Sequence, residues 1–228
     1  MSADLPPVLL LHGFATSAAR TWGDNGWIDI LRDMGREVIA PDLLGHGDAA
    51  KPHEPEAYEG FAGLIADELP DDGGPVDAIG FSMGARTLLA LAVESPGRFR
   101  RLVLSGVGAN LFRTDGSGLV AKALRGEADP SDPVARYFAT LAQEPGSDPV
   151  ALAAFIEHRQ APLTADGLAA VTCPTLVVLG DKDFAGPADP LVEALPDARL
   201  LTLRNTDHFA TPKSFPFMDA AFDFVGEP

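Results

Sequence analysis

Residues 76–92 read VDAIGFSMGARTLLALA. A short apolar run ends at Phe81, Ser82 follows between Gly80 and Gly84, and apolar residues then recur at helical spacing. The pattern is strand, tight turn, helix, with Ser82 at the apex, the Gly-x-Ser-x-Gly arrangement in the context it requires. A turn this sharp brings neighbouring backbone against the serine, where a β-carbon would collide, so glycine is needed on both sides. A hydroxyl held up on such a turn is a candidate nucleophile; a plain turn residue is the alternative, and the rest of the chain decides between them.

Outward from this stretch, similar apolar runs recur as PVLLL (7–11), EVIAP (37–41), RLVLSG (101–106), TLVVLG (175–180) and RLLTL (199–203). Each is too short for a buried helix and is bounded by Gly, Pro or a charged residue, which reads as a strand buried on both faces. Amphipathic segments such as WIDILRDMG (27–35), YEGFAGLIADEL (58–69) and RTLLALAVESP (86–96) lie between them. That alternation predicts an α/β fold, a doubly wound parallel sheet of about six strands flanked by helices. Between Gly106 and Val171 no strand-like run occurs, and helical patterns broken by Asp-Pro and Gly occupy the interval. The predicted organisation is a core of residues 1–107 and 171–228, with a small helical cap over 108–170 inserted after the fourth strand. Ligands of open α/β sheets bind outside the carboxyl ends of the strands, so such an insertion would cover the site.

The 228 residues are 46% hydrophobic and 22% charged, the composition of one globular domain. A formal net charge of −16 argues against nucleic acid or an anionic membrane as partner. The stretch MSADLPPVLLLHG has neither a basic leader nor a membrane-length apolar run, so a cytoplasmic location is expected. Cys173 is the only cysteine and opens an apolar run, where a structural thiol is expected. No residue pattern calls for a metal or a cofactor, and the expected partner is a small-molecule substrate.

A serine hydroxyl needs a base to take its proton and an acid to orient that base. Of the five histidines, His208 alone lies downstream of Ser82 in a loop that the sheet places at a strand end. His12 and His46 fall in turns and are expected to make turn hydrogen bonds, while His53 and His158 are expected to be solvated. The acid should precede the histidine at another strand end, where GDKD (180–183) offers Asp181 and Asp183. Asp181 directly follows the turn glycine and is expected to serve the turn, which leaves Asp183. The helix beginning at Met83 directs its first N–H groups and its positive dipole end at Ser82. Met83 N–H is therefore one candidate oxyanion donor, and Phe14 N–H, in the loop after the first strand, is the second.

In order along the chain, HGF, DLLGHG, GFSMG, GDKD and DHF make the sequence resemble the α/β hydrolase superfamily over essentially its whole length. The resemblance implies a triad of Ser82, Asp183 and His208, oxyanion donors at Phe14 and Met83, and a helical cap. Members usually begin with two further strands, so here the sheet should be six-stranded and all parallel. The expected reaction is hydrolysis of a carboxylic ester, or a related acyl bond, of a small uncharged or apolar substrate through an acyl-enzyme. Two alternatives stay open. The stretch SMGAR is similar to one in menaquinone-pathway lyases of the superfamily, where the arginine meets a substrate carboxylate, which makes Arg86 a candidate contact in a lyase or a carbon-carbon bond hydrolase. A non-catalytic binding protein on the same fold is the other. Phe81, Phe112, Phe138, Leu141 and Phe155 are candidate lining residues of an apolar pocket; simple packing of the insertion onto the sheet is their alternative use.

Overall fold

Successive residues of each central strand enter different cores. Leu9, Leu11, Ala78, Leu104 and Val177 contribute to one buried cluster, while Val8, Leu10, Ile79, Val103 and Val178 contribute to a second on the other face of the sheet. A strand buried on both faces has no polar side, so it reads as an unbroken apolar run. A computed structural model of the protein describes residues 5–70, 73–113, 117–129, 131–144, 146–158 and 162–227.

The strands are β1 (Val8–Leu11), β2 (Val38–Ile39), β3 (Val76–Phe81), β4 (Phe99–Ser105), β5 (Thr175–Gly180) and β6 (Ala198–Leu203). They form one six-stranded sheet in the order β2-β1-β3-β4-β5-β6, every neighbouring pair parallel. The first face is covered by α2 (Phe61–Asp67), α3 (Met83–Glu94) and α8 (Asp189–Ala194), the second by α1 (Trp27–Asp33) and α9 (Phe215–Gly226). The fold class read from the sequence is thus the one observed. Two strands differ from expectation: EVIAP and RLLTL are the two edges of the sheet, where Val38 and Ile39 are half-buried and Leu200 is 43% exposed. An edge strand has a neighbour on one side only, and nothing in a five-residue run records whether a second will arrive.

The chain runs outward from β1 to β2, then returns past β1 to β3 and proceeds the other way. The carboxyl ends of β1 and β3 therefore flank the point at which the sheet reverses direction, where a crevice opens. Leu11 pairs with Gly80 across that point, which sets His12-Gly13-Phe14 beside Phe81-Ser82-Met83.

Between β4 and β5 lie α4 (Ser117–Leu124), α5 (Pro133–Leu141), α6 (Pro149–Glu157) and α7 (Ala165–Leu168). Their Asp-Pro starts have a local cause. Asp148 accepts the Val150 and Ala151 N–H groups at 2.9 and 3.2 Å, and Pro149 occupies a first-turn position that has no N–H to satisfy. Asp132 likewise accepts Ala135 N–H at 3.1 Å at the start of α5. Leu124, Ala142, Leu152 and Ala153 bury themselves against Ala15 of the loop after β1, and α6 sends Phe155 into the first sheet core. Among the described residues no helix is long and apolar enough to cross a membrane.

Candidate active site

The apex of the β3–α3 turn is strained. Ser82 has φ 52° and ψ −109°, a combination rare for any residue with a side chain. Its N–H donates to the Ser105 carbonyl of β4 at 2.8 Å, and its carbonyl accepts Arg86 N–H at 3.0 Å. The two glycines are required by contact. A β-carbon at Gly80 would stand 2.7 Å from the Ala85 backbone, and one at Gly84 would stand 2.1 Å from the Leu11 oxygen. Without a side chain at 84, the start of α3 settles against the end of β1.

Two further strand ends complete a hydrogen-bonded chain. His208, buried in the loop after β6, has Nε2 3.0 Å from Ser82 Oγ. Its Nδ1 lies 2.9 and 3.0 Å from the two carboxylate oxygens of Asp183, in the loop after β5. An ionised carboxylate only accepts, so the proton of a neutral imidazole sits on Nδ1 and Nε2 is left to accept from the serine hydroxyl. Asp183 is itself oriented by Ala185 N–H, which donates to Oδ1 at 2.8 Å, and its side chain is fully buried. The Phe81 and Phe184 rings lie 4.9 and 4.3 Å from the imidazole by centroid and hold its plane. The neighbouring Asp181 accepts Thr206 N–H at 3.3 Å and so binds the adjacent loop.

The remaining histidines divide by burial. His12 Nδ1 donates to the Gly13 carbonyl at 2.7 Å, and Nε2 accepts Leu43 N–H at 3.0 Å, which clamps the loop that carries Phe14. Burial holds His12 below its ordinary pKa, against weaker opposing pulls from the Gly13 carbonyl and Asp42. His46 donates from Nδ1 to the Leu44 carbonyl at 3.0 Å, while its buried Nε2 meets no protein partner. Burial, then the neighbouring His12, pushes its pKa down to about 3. His53 is not merely solvated: its Nε2 lies 2.9 Å from Asp148 and joins the core to the start of α6. Met83 opens α3, where the first N–H groups have no intrahelical acceptor. Phe14 N–H follows the clamped His12-Gly13 pair on the facing strand end.

A cavity of about 380 Å³ opens over Ser82 and His208. Phe14, Phe81, Phe138 and Leu141 line it, as do Tyr137, Phe184 and Phe209, which sequence reasoning missed. The last two directly follow Asp183 and His208 in the chain, a signal available in GDKDF and DHF. Phe184 is 62% exposed at the cavity mouth. Tyr137 is held above its ordinary pKa by burial and by Asp207. Three candidates are placed elsewhere. Phe155 turns into the core, with ring centroids 5.4 Å from Tyr58 and 5.2 Å from Phe61. Phe112 packs against that same core. Arg86, one turn into α3, is half-buried and engaged by other protein groups rather than lining the cavity.

Relatives share parts of this chain. A 2-hydroxy-6-oxo-2,4-heptadienoate hydrolase of Pseudomonas putida is 37% identical over 117 residues, 48% of this chain and 41% of that protein. The sn-1-specific diacylglycerol lipase ABHD11 of Mus musculus is 35% identical over 104 residues, 45% of this chain and 33% of its own length. The matched stretches therefore span less than half of these curated relatives. Among solved structures, the enol-lactonase from Burkholderia xenovorans LB400 superposes with a TM-score of 0.73 at 22% identity, covering 99% of this chain and 93% of the other. The family model described as the alpha/beta hydrolase family matches residues 8–226, from the first residue of β1 to the last of α9, and to that family the chain belongs.

Proposed function

We propose that the protein hydrolyses a carboxylic ester, or a related acyl bond, of a small substrate, with Ser82 as nucleophile, His208 as base and Asp183 as the acid that orients it. The observation carrying this reading is the continuous hydrogen-bonded chain from Asp183 through His208 to Ser82 Oγ at the floor of a cavity. His208 Nε2 takes the hydroxyl proton as Oγ attacks the carbonyl carbon, and the Met83 and Phe14 N–H groups hold the oxyanion. Asp183 stabilises the imidazolium that forms. His208 then gives its proton to the leaving oxygen, takes one from an incoming water, and the acid departs with Ser82 restored. Residues 108–170 act as a cap, since Val120, Leu141 and Ile156 from three of its helices form part of the cavity wall. The net charge of −16 favours a small molecule over nucleic acid or an anionic membrane as partner. No cofactor enters this scheme.

The test is labelling with a fluorophosphonate, followed by p-nitrophenyl esters of graded chain length. Label is expected on Ser82, and Ser82→Ala should lower turnover on the order of a millionfold. Hydrolysis untouched by that substitution would overturn the assignment. A second reading, hydrolysis of a carbon-carbon bond beside a ketone, is favoured by the similarity to the heptadienoate hydrolase. The same triad would serve it, and a 2-hydroxy-6-oxo-dienoate is the substrate that separates the two.

A further inference from the structure

The side chains described at the cavity over Ser82 include cations, in a chain that is strongly acidic. The sequence holds 33 acidic residues against 17 basic ones, so a lining drawn at random would hold carboxylates about twice as often as cations. Among the described residues the lining holds two cations, Arg20 and Lys213, and no Asp or Glu. Arg20 is partly compensated by Glu144, 2.8 Å away at the exposed rim. Lys213 is exposed at the cavity edge and, among the described residues, forms no ion pair, while the nearest carboxylate of its own loop, Asp207, acts on Tyr137.

The root of Lys213 is fixed. It closes the 3₁₀ turn Thr211–Lys213, whose Thr211 Oγ1 donates to the Asp207 carbonyl at 3.0 Å, next to His208. Trp27 Nε1 donates to the Pro212 carbonyl at 2.8 Å and docks the turn on α1. Arg20, Thr21 and Asn25, just before α1, line the same cavity, and Asn25 is held by a 2.9 Å bond from its side-chain amide to the Thr21 carbonyl. The cap supplies an apolar counterpart in Val120, Phe138, Leu141 and Ile156. One region is cationic and polar, the other aliphatic and aromatic.

We propose that the site takes an ester that carries a carboxylate beside an apolar portion, with Lys213 as the specificity-determining residue and Arg20 assisting it. This rests on the ester-hydrolase reading above and replaces the expectation of an uncharged substrate. A chain of net charge −16 repels an anion at long range, so selection for one has to come from cations at the cavity itself, and Arg20 and Lys213 stand exposed at its edge. The Lys213 ammonium meets a carboxylate there as a point charge, while the apolar wall receives the rest of the ligand.

Two measurements test this. Calorimetry compares phenylacetate with phenylacetamide, alike in shape and different in charge, on the wild-type protein, Lys213→Met and Lys213→Arg. Phenylacetate should bind the wild type about tenfold more tightly than the amide, with the preference lost in Lys213→Met and kept in Lys213→Arg. In parallel, the ratio of kcat/KM for the p-nitrophenyl hemiester of glutaric acid to that for p-nitrophenyl butyrate should fall about tenfold in Lys213→Met, through KM. Failure of phenylacetate to bind, or equal binding of acid and amide, overturns the proposal. Lys213-dependent binding of phenylacetate without cleavage of either ester upholds the anion subsite and removes the ester-hydrolase reading. Ester cleavage with no charge preference removes the subsite alone.

Discussion

Gly84 sits so close beneath Leu11 that a β-carbon on it would lie 2.1 Å from the Leu11 carbonyl oxygen. The obstacle is backbone on the end of a central strand, which cannot rotate aside as a side chain can. Gly84→Ala should therefore lower stability by about 3 kcal/mol or more, read from urea unfolding. It should also slow fluorophosphonate labelling of Ser82, because the start of α3 has to move away from the loop that carries Phe14.

Asp183→Asn keeps the shape of the acid but reverses one donor. The amide can present an N–H to His208 Nδ1, at the position where the carboxylate now accepts at 2.9 Å. The imidazole proton then moves to Nε2, which can no longer accept from Ser82 Oγ. Ester turnover is expected to fall on the order of ten-thousandfold with the fold intact, as checked by kinetics alongside a thermal melt.

His46 makes stability depend on pH. In the folded protein its pKa is pushed down to about 3, chiefly by burial, whereas in the unfolded chain it titrates near 6.5. Above pH 6.5 the group is neutral in both states and contributes no pH dependence. As pH falls through 6.5 the unfolded state alone gains a proton, so stability drops by up to about 1.4 kcal/mol per unit until the folded group titrates near pH 3. His46→Phe keeps a ring against Phe14 and Phe155, both of which meet the imidazole edge-on. Its unfolding free energy, followed in urea from pH 7 to 4, should fall less steeply than that of the wild type.

Asp77, fully buried in β3, is paired with Arg36 and with Arg100, the latter at 2.7 Å. Both guanidinium groups also donate to the Val225 carbonyl and so fasten the end of α9 beneath the sheet. Asp77→Ala leaves two cations without their shared anion, and a loss of about 3–5 kcal/mol is expected. The cluster lies at the opposite end of β3 from Ser82, so turnover per folded molecule should hold. Unfolding curves and kinetics on the same preparation separate the two effects.

Several features were legible because each rests on a local pattern. The strand runs, the turn at Ser82 and the strand-end loops that bring Asp183 and His208 to it all follow from short stretches read against the geometry of a parallel sheet. The helices between β4 and β5 were legible for the same reason, since Asp132 and Asp148 each start a helix from the residues beside them. The cavity lining was legible only in part, since Phe81, Phe138 and Leu141 line it while Phe112 and Phe155 do not. α6 reads PVALAAFIE and is apolar on nearly every side, so its sequence has no phase that says which side chain meets the cavity. Ile156 lines the cavity, while its neighbour Phe155 turns into the core.

By itself the sequence determined the fold class, the position of the serine turn and the order of the three residues that meet there, because backbone sterics and strand burial leave their mark on adjacent residues. Only the tertiary structure decided what surrounds Ser82. Arg20, Tyr137 and Lys213 lie far apart in the chain and become neighbours through the β1–β3 reversal and the docking of the insertion. Neighbours of that kind are made by packing, and no window of consecutive residues contains them.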